Sequence, residues 1–354
     1  MKKLLLVTFS VDLGSAAYEK RFISFFEGSP EVDLQVFRFA PNQGTPHPKS
    51  IFTLTYFYLL LNRFRATIHL RKAIHKAKGE NRKILFMGVS PAMFAYFVTR
   101  KNNSYIVTDW TRKLYEIFWN SSLSPTWLTL IHKRVFNAQQ AILGLTENVC
   151  EQIVKDYNVL PHRVKKVKLP LCFDLEMFSP SIERKDNEIR ILFVGGDFQR
   201  KGGDVLLQWF KLNRHKPGVK MTMVTGYSIE ADSGVTVEQP VVHYGQPEHI
   251  ALFRRHDIFV LPTTCDAYPS VLGEAACAGL AILTTRNALG ASEVIRSGVN
   301  GYICDSQTEL LDKLTMLIED KVLISSMKRN SREFMEKEFS HNKVFSEYVQ
   351  HIFR

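Results

Sequence analysis

The stretch ILFVGGDFQRKGGD at 191–204 combines a strand, a glycine pair and two adjacent cations, Arg200 and Lys201, before a helix that begins near Gly203. Gly195 and Gly196 carry no side chains, so a ligand can approach the backbone there. The N–H groups of a helix start add positive potential to that of the cations. Two cations and a helix start suit a diphosphate better than a monophosphate. Neither familiar phosphate loop fits the spacing. A Walker loop needs G-x-x-x-x-G-K-[ST], but here the lysine precedes Gly202 and no hydroxyl follows it. A dinucleotide fingerprint needs G-x-G-x-x-G, but the glycines stand at 195, 196, 202 and 203. Taken alone, the stretch also reads as an ordinary strand-to-helix turn with a solvated Arg-Lys pair.

A second group lies in LPTTCDAYPSVLGEAACAGLAILTT at 261–285, where Asp266 and Glu274 stand eight positions apart on either side of YPSVLG. That spacing puts one carboxylate in a loop and the other at or just after the first turn of a helix, both toward one cleft. A carboxylate so placed can accept two bonds from a sugar or ribose diol. A third group is Asp109 and Thr111 in SYIVTDWTRKLYEIFW. Either residue can cap the helix KLYEIFW by accepting from its free amides.

These groups need strands that end in loops, and the chain supplies them. KKLLLVTFS, DLQVFRFA, KILFMGV, SYIVTDW and QAILGL in the first half, then IRILFVGG, KMTMVTG, DIFVLPT and LAILTT in the second, read as short strands alternating with helices. Two repeats of this pattern predict an α/β protein with two doubly wound parallel sheets. Ligands in such sheets sit beyond the carboxyl ends of the strands. The segment KLPLCFDLEMFSPSIERKDNE reads as a hinge, with the domain boundary near residue 180. A length of 354 residues agrees with two domains rather than one.

The net charge of +11 is distributed unevenly. Residues 1–180 hold 25 of the 46 Lys and Arg but 13 of the 35 Asp and Glu. The basic half implies an anionic partner: a phospholipid surface, a phosphorylated acceptor or nucleic acid. The apolar run IFTLTYFYLLL at 51–61 leads into a helix carrying Arg63, Arg65, Arg71, Lys72, Lys76 and Lys78. It is too short to span a bilayer but suits a helix lying on a membrane, or equally a buried helix followed by a solvated one. Five cysteines with no C-x-x-C pair, and an opening without a small-residue cleavage site, point to a reducing, cytoplasmic setting.

The order FVGG-x4-KG-x-D-x-LL, D-x7-E, AGLAILTT, GASEVI and SGVNGY over 193–302 resembles the retaining GT-B-fold glycosyltransferases of family 4, the glycosyl transferases group 1. The resemblance implies two Rossmann-like domains facing a central cleft: an acceptor domain over 1–180, joined by a C-terminal helix at about 338–354, and a donor domain over 181–337. It also implies a nucleotide-sugar donor, UDP- or GDP-linked, whose diphosphate is held by Gly14, Gly195, Gly196, Arg200 and Lys201. The family's arginine after the first glycine is Gly196 here, which leaves Arg200 to supply the second cation. Asp266 stands where the family usually has a glutamate contacting the transferred sugar, together with the turn Ala267, Tyr268, Pro269 and Ser270. Pro269 has no amide to donate. Glu274 matches the carboxylate that bonds the ribose. Asp109, Asp266 and Lys201 are the implied catalytic residues.

The implied reaction moves a hexosyl group to an acceptor hydroxyl with retention, in cell-envelope or other glycan biosynthesis, the acceptor being a glycan or lipid-linked molecule. No cofactor is expected. No Asp-x-Asp pair occurs in the sequence, so no metal is expected either. Competing readings are a catalytically silent partner subunit, a nucleotide-sugar epimerase, and a basic nucleic-acid-binding protein. The last is disfavoured because the cations are not interleaved with a recognition module. The implied location is cytoplasmic, at the inner face of the membrane if the basic half docks there.

Overall fold

The computed structural model describes residues 1–9, 13–40, 54–99, 103–119, 126–180, 186–230, 235–238 and 244–353. The chain divides into two compact units, Met1–Leu169 with Phe345–Arg354, and Pro170–Val344. The sequence reading places this division near residue 180. The helix that follows Leu169 packs with the second unit: a side chain added at Gly273 would fall 2.6 Å from Leu171, and the Phe178 carbonyl accepts from Arg332 at 2.5 Å.

The first unit runs β1 (Lys2–Thr8), α1 (Leu13–Glu27), β2 (Val32–Arg38), α2 (Leu54–Gly79), β3 (Lys83–Met87), α3 (Val89–Thr99), β4 (Ser104–Thr108), α4 (Arg112–Trp119), α5 (Thr126–Ala138), β5 (Ala141–Gly144), α6 (Glu147–Tyr157) and β6 (Val164–Lys166). Its strands lie in the order β2-β1-β3-β4-β5-β6, all parallel. β1 and β3 to β5 are almost wholly buried, as expected of parallel strands covered on both faces.

The second unit runs α7 (Cys172–Met177), β7 (Ile189–Val194), α8 (Gly203–Asn213), β8 (Val219–Val224), β9 (Thr236–Glu238), α9 (Pro247–Arg254), β10 (Ile258–Leu261), α10 (Ser270–Cys277), β11 (Ala281–Thr285), α11 (Ala291–Val294), β12 (Gly301–Cys304), α12 (Gln307–Leu317) and α13 (Lys321–Glu338), and α14 (His341–Ile352) only begins in it. The sheet order is β12-β11-β10-β7-β8-β9, again parallel. The small-residue run AACAGL turns α10 into β11. Gly279 sits at φ +70°, the Gly279 and Leu280 amides close back on the Ala276 and Ala275 carbonyls, each at 3.0 Å, and only a residue tolerant of positive φ ends a helix this way.

The last helix ends in the first unit. Tyr348 is fully buried against Phe22, Phe25 and Phe26, and its hydroxyl donates to the Lys168 carbonyl at 2.9 Å. Among the described residues, no helix is long and apolar enough to cross a membrane. All five cysteines are buried with free thiols.

Candidate functional site

In the second sheet the strand order reverses between β7 and β10, which are hydrogen-bonded neighbours. A doubly wound sheet leaves its crevice at this point, beyond the carboxyl ends of the two strands. The segment 195–202 follows β7 and the segment 262–269 follows β10, so the topology brings the first two sequence groups together.

Lys201 Nζ donates to Asp266 Oδ2 at 2.7 Å. Arg200 Nη1 lies 3.7 Å from the same oxygen and donates to the Cys265 carbonyl at 2.6 Å, while its Nε donates to Asp197 Oδ2 at 2.8 Å. Two cations thus converge on one carboxylate. Lys201 and Asp266 keep 17% and 15% of their side-chain surface exposed, enough to meet a ligand and too little for free solvation.

The loops are fixed by backbone bonds. The Arg200 carbonyl accepts from the Thr264 amide at 2.9 Å and from the hydroxyls of Thr263 and Thr264, both at 3.1 Å. The Asp266 amide donates to the Asn287 carbonyl at 2.9 Å, and its carbonyl accepts from the Leu289 amide at 2.9 Å. Gly290 donates to the Ala267 carbonyl at 2.8 Å; a side chain added at Gly290 would fall 2.7 Å from the buried Tyr268 ring. Pro269 precedes α10, which opens at Ser270.

One detail differs from the sequence expectation. The helix-start amides are not all directed at a ligand: the turn bonds the Lys201, Gly202 and Gly203 amides to the Asp197, Gln199 and Phe198 carbonyls at 3.0, 2.9 and 2.8 Å. Gly202 makes this possible by adopting φ +78°. These three amides are therefore satisfied within the turn, and the full charges of the loop are those of the Arg200 and Lys201 side chains. Close packing distinguishes the glycines of this stretch. A side chain at Gly202 would lie 2.2 Å from the Pro262 carbonyl oxygen and one at Gly195 would lie 2.8 Å from Phe193, whereas one at Gly196 would meet nothing within 4 Å.

Glu274 lies just beyond the first turn of α10 and is 5% exposed. Its Oε2 lies 3.1 Å from Nε2 of His249 on α9, and its Oε1 lies 3.5 Å from the Ser270 hydroxyl. His249 is a residue that the sequence reading missed. PEHIALFRR reads as an amphipathic helix, and the available signal was a histidine at position i of a buried i, i+3, i+4 stripe completed by Leu252 and Phe253.

In the first unit, the cap of α4 is Thr111, whose Oγ1 accepts from the Leu114 amide at 3.2 Å. Asp109 is not the cap; it lies half-buried just past the end of β4. Gly14 falls in the first turn of α1 after β1, at the strand-order reversal between β1 and β3. The preceding residues 10–12 lie outside the described residues.

Residues 176–334, which contain this cluster, match the family model of the glycosyl transferases group 1. Over 214 residues the chain is 26% identical to the D-inositol 3-phosphate glycosyltransferase of Paenarthrobacter aurescens, covering 53% of this chain and 51% of that protein. The chain spans about half or less of the length of the curated relatives it matches. Two solved structures match nearly end to end. A glycosyltransferase from Rickettsia africae superposes with a TM-score of 0.70 at 12% identity, covering 99% of this chain and 97% of that one. The Anabaena protein HepE, solved with UDP and glucose, gives 0.68 at 14% identity, covering 99% of both chains. The chain thus resembles the glycosyl transferases group 1 through its second unit, and it has the GT-B fold of two Rossmann-like domains.

Proposed function

We propose that the protein is a glycosyltransferase that moves a hexosyl group from a nucleoside-diphosphate sugar to an acceptor hydroxyl, with retained anomeric configuration. The convergence of Arg200 and Lys201 on Asp266 at the β7/β10 reversal carries this reading. The group 1 match over this segment, and the UDP and glucose held by the Anabaena relative, support it.

Departure of the diphosphate is the difficult step, and its growing negative charge must be met in the transition state. Before the donor binds, Asp266 pairs with Lys201, and Asp197 pairs with Arg200. When the donor arrives, its diphosphate takes the cations and the Asp266 carboxylate turns to the sugar hydroxyls, while Glu274 accepts from the ribose diol. The anomeric carbon loses its bond to the diphosphate oxygen, which keeps the electron pair. The acceptor oxygen bonds the same face of that carbon and passes its proton to a phosphate oxygen. Asp109 orients the acceptor or the sugar. The loop cations supply the neutralising charge, so turnover should withstand a chelator. Removing a donor of this kind costs about 10²–10³ in turnover, so Lys201→Ala should fall by that amount; unaltered turnover would defeat the assignment.

A second reading, a catalytically silent partner subunit, draws on Gly196, an exposed position where the resemblance calls for arginine. Turnover of any nucleotide-sugar excludes it. For the acceptor side we propose a glycan or lipid-linked molecule met by the first unit at an anionic membrane surface, on the cytoplasmic face. The basic charge of residues 1–180 supports this, as do the exposed Phe64 on α2, Phe97 on α3, and Trp127 and Leu130 on α5; α3 packs against both other helices.

A further inference from the structure

A carboxylate as enclosed as that of Glu274 needs partners to remain ionised, and the geometry specifies one on its inner side. His249 is buried, and its Nδ1 accepts the Gly245 amide hydrogen at 3.3 Å. That bond places the ring hydrogen on Nε2, directed at Glu274 Oε2 3.1 Å away. The neutral ring is then sufficient as donor. Gly245 adopts φ +82°, a conformation that a residue with a side chain takes only with strain.

The ring is fixed on its other sides as well. Phe178, Phe253 and Tyr244 meet it at steep angles, with centroids 5.4, 5.2 and 5.7 Å away. The Tyr244 hydroxyl donates to the fully buried Asp174 carboxylate at 2.9 Å. A chain of contacts therefore runs from α7 through Tyr244 and His249 to the carboxylate on α10.

We propose, on the reading of Glu274 as the ribose-binding carboxylate, that His249 is the residue that positions it. The ring anchors one carboxylate oxygen from the protein side and so fixes the plane in which Glu274 receives the ribose diol. His249 touches no reacting atom; it acts through Glu274 on donor recognition. Its loss should raise the donor KM more than it lowers kcat.

The test is binding of UDP, GDP and ADP, and of their 2′,3′-dideoxy counterparts, by calorimetry. The wild-type protein should prefer the ribose form of its nucleotide. His249→Leu keeps an apolar filling but removes the donor, so that preference should shrink by about tenfold or more, as expected for losing a hydrogen bond to a charged group. His249→Gln can place an amide nitrogen where Nε2 stood and should retain most of the preference. His249→Asn is too short to reach and should lose it, which keeps the test decisive if the leucine variant does not fold. Glu274→Ala separates the two levels. If that variant keeps the preference, the ribose assignment of Glu274 fails. If Glu274→Ala loses the preference while His249→Leu and His249→Asn keep it, the role given to His249 is overturned.

Discussion

At the residue scale, Asp266 has two opposed effects on the bound diphosphate. It holds Lys201 in place at 2.7 Å, yet its own negative charge opposes an incoming anion. Asp266→Asn should therefore bind a free nucleoside diphosphate a few-fold more tightly while turning over more slowly, because the contact with the transferred sugar is weakened. Calorimetry beside a rate assay checks this; weaker diphosphate binding would show that the carboxylate's bracing of Lys201 outweighs its repulsion. A different residue makes the first unit sensitive to acid. His132 on α5 is buried beside Phe136 and Tyr157, and burial, reinforced by the charge of Arg112, pushes its pKa down to about 4. The unfolded chain takes up this proton near pH 6.5, the folded one only near pH 4. Between those values the unfolded state binds more protons, so stability falls on acidification, by roughly 3 kcal/mol across the window. His132→Phe should flatten the dependence of the melting temperature on pH between 6.5 and 4; an unchanged slope would place the acid sensitivity elsewhere. The sequence made Lys201 and Asp266 legible as separate charged positions, and the family resemblance joined them. The partners of Glu274 were not legible, because a histidine completing a buried helical stripe reads as an ordinary core residue until the fold brings its ring to Glu274.

At the scale of elements, nine of the twelve strands among the described residues could be read from runs of β-branched and aromatic residues. The three that escaped, β6, β9 and β12, have three, three and four residues. All three lie at sheet edges, where partial exposure removes the apolar run that marks a buried strand. The turn between β7 and α8 offers a matched comparison. Gly202 has a positive φ and faces the Pro262 carbonyl, whereas Gly196 is open. Gly202→Ala should destabilise the second unit by about 1–3 kcal/mol from backbone strain alone, with a further cost from the clash. Gly196→Ala should leave the melting temperature nearly unchanged. Equal effects of the two substitutions would contradict the described turn.

At the scale of the whole molecule, the charge asymmetry and the two sheets divide the labour proposed here between an acceptor unit and a donor unit. If the first unit meets an anionic membrane, the protein should sediment with vesicles containing phosphatidylglycerol and not with neutral ones, and less so as salt rises. Replacing Phe97 and Trp127 together by serine should weaken that association; binding unaffected by lipid charge or by these substitutions would argue for a solvated face. Of the architecture, the doubly wound pattern was legible and the return of the last helix followed from the resemblance. The packing of α7 with the second unit was not legible, since CFDLEM is too short for helical periodicity to show. The central claim is that the β7/β10 reversal holds the diphosphate of a sugar donor. Its most direct measurement is calorimetric titration of UDP, GDP and ADP into the wild-type protein and into Lys201→Ala. The account predicts that at least one of these nucleotides binds the wild type and that the variant weakens it tenfold or more; equal affinity in the two proteins, or no binding of any of the three to the wild type, would contradict it.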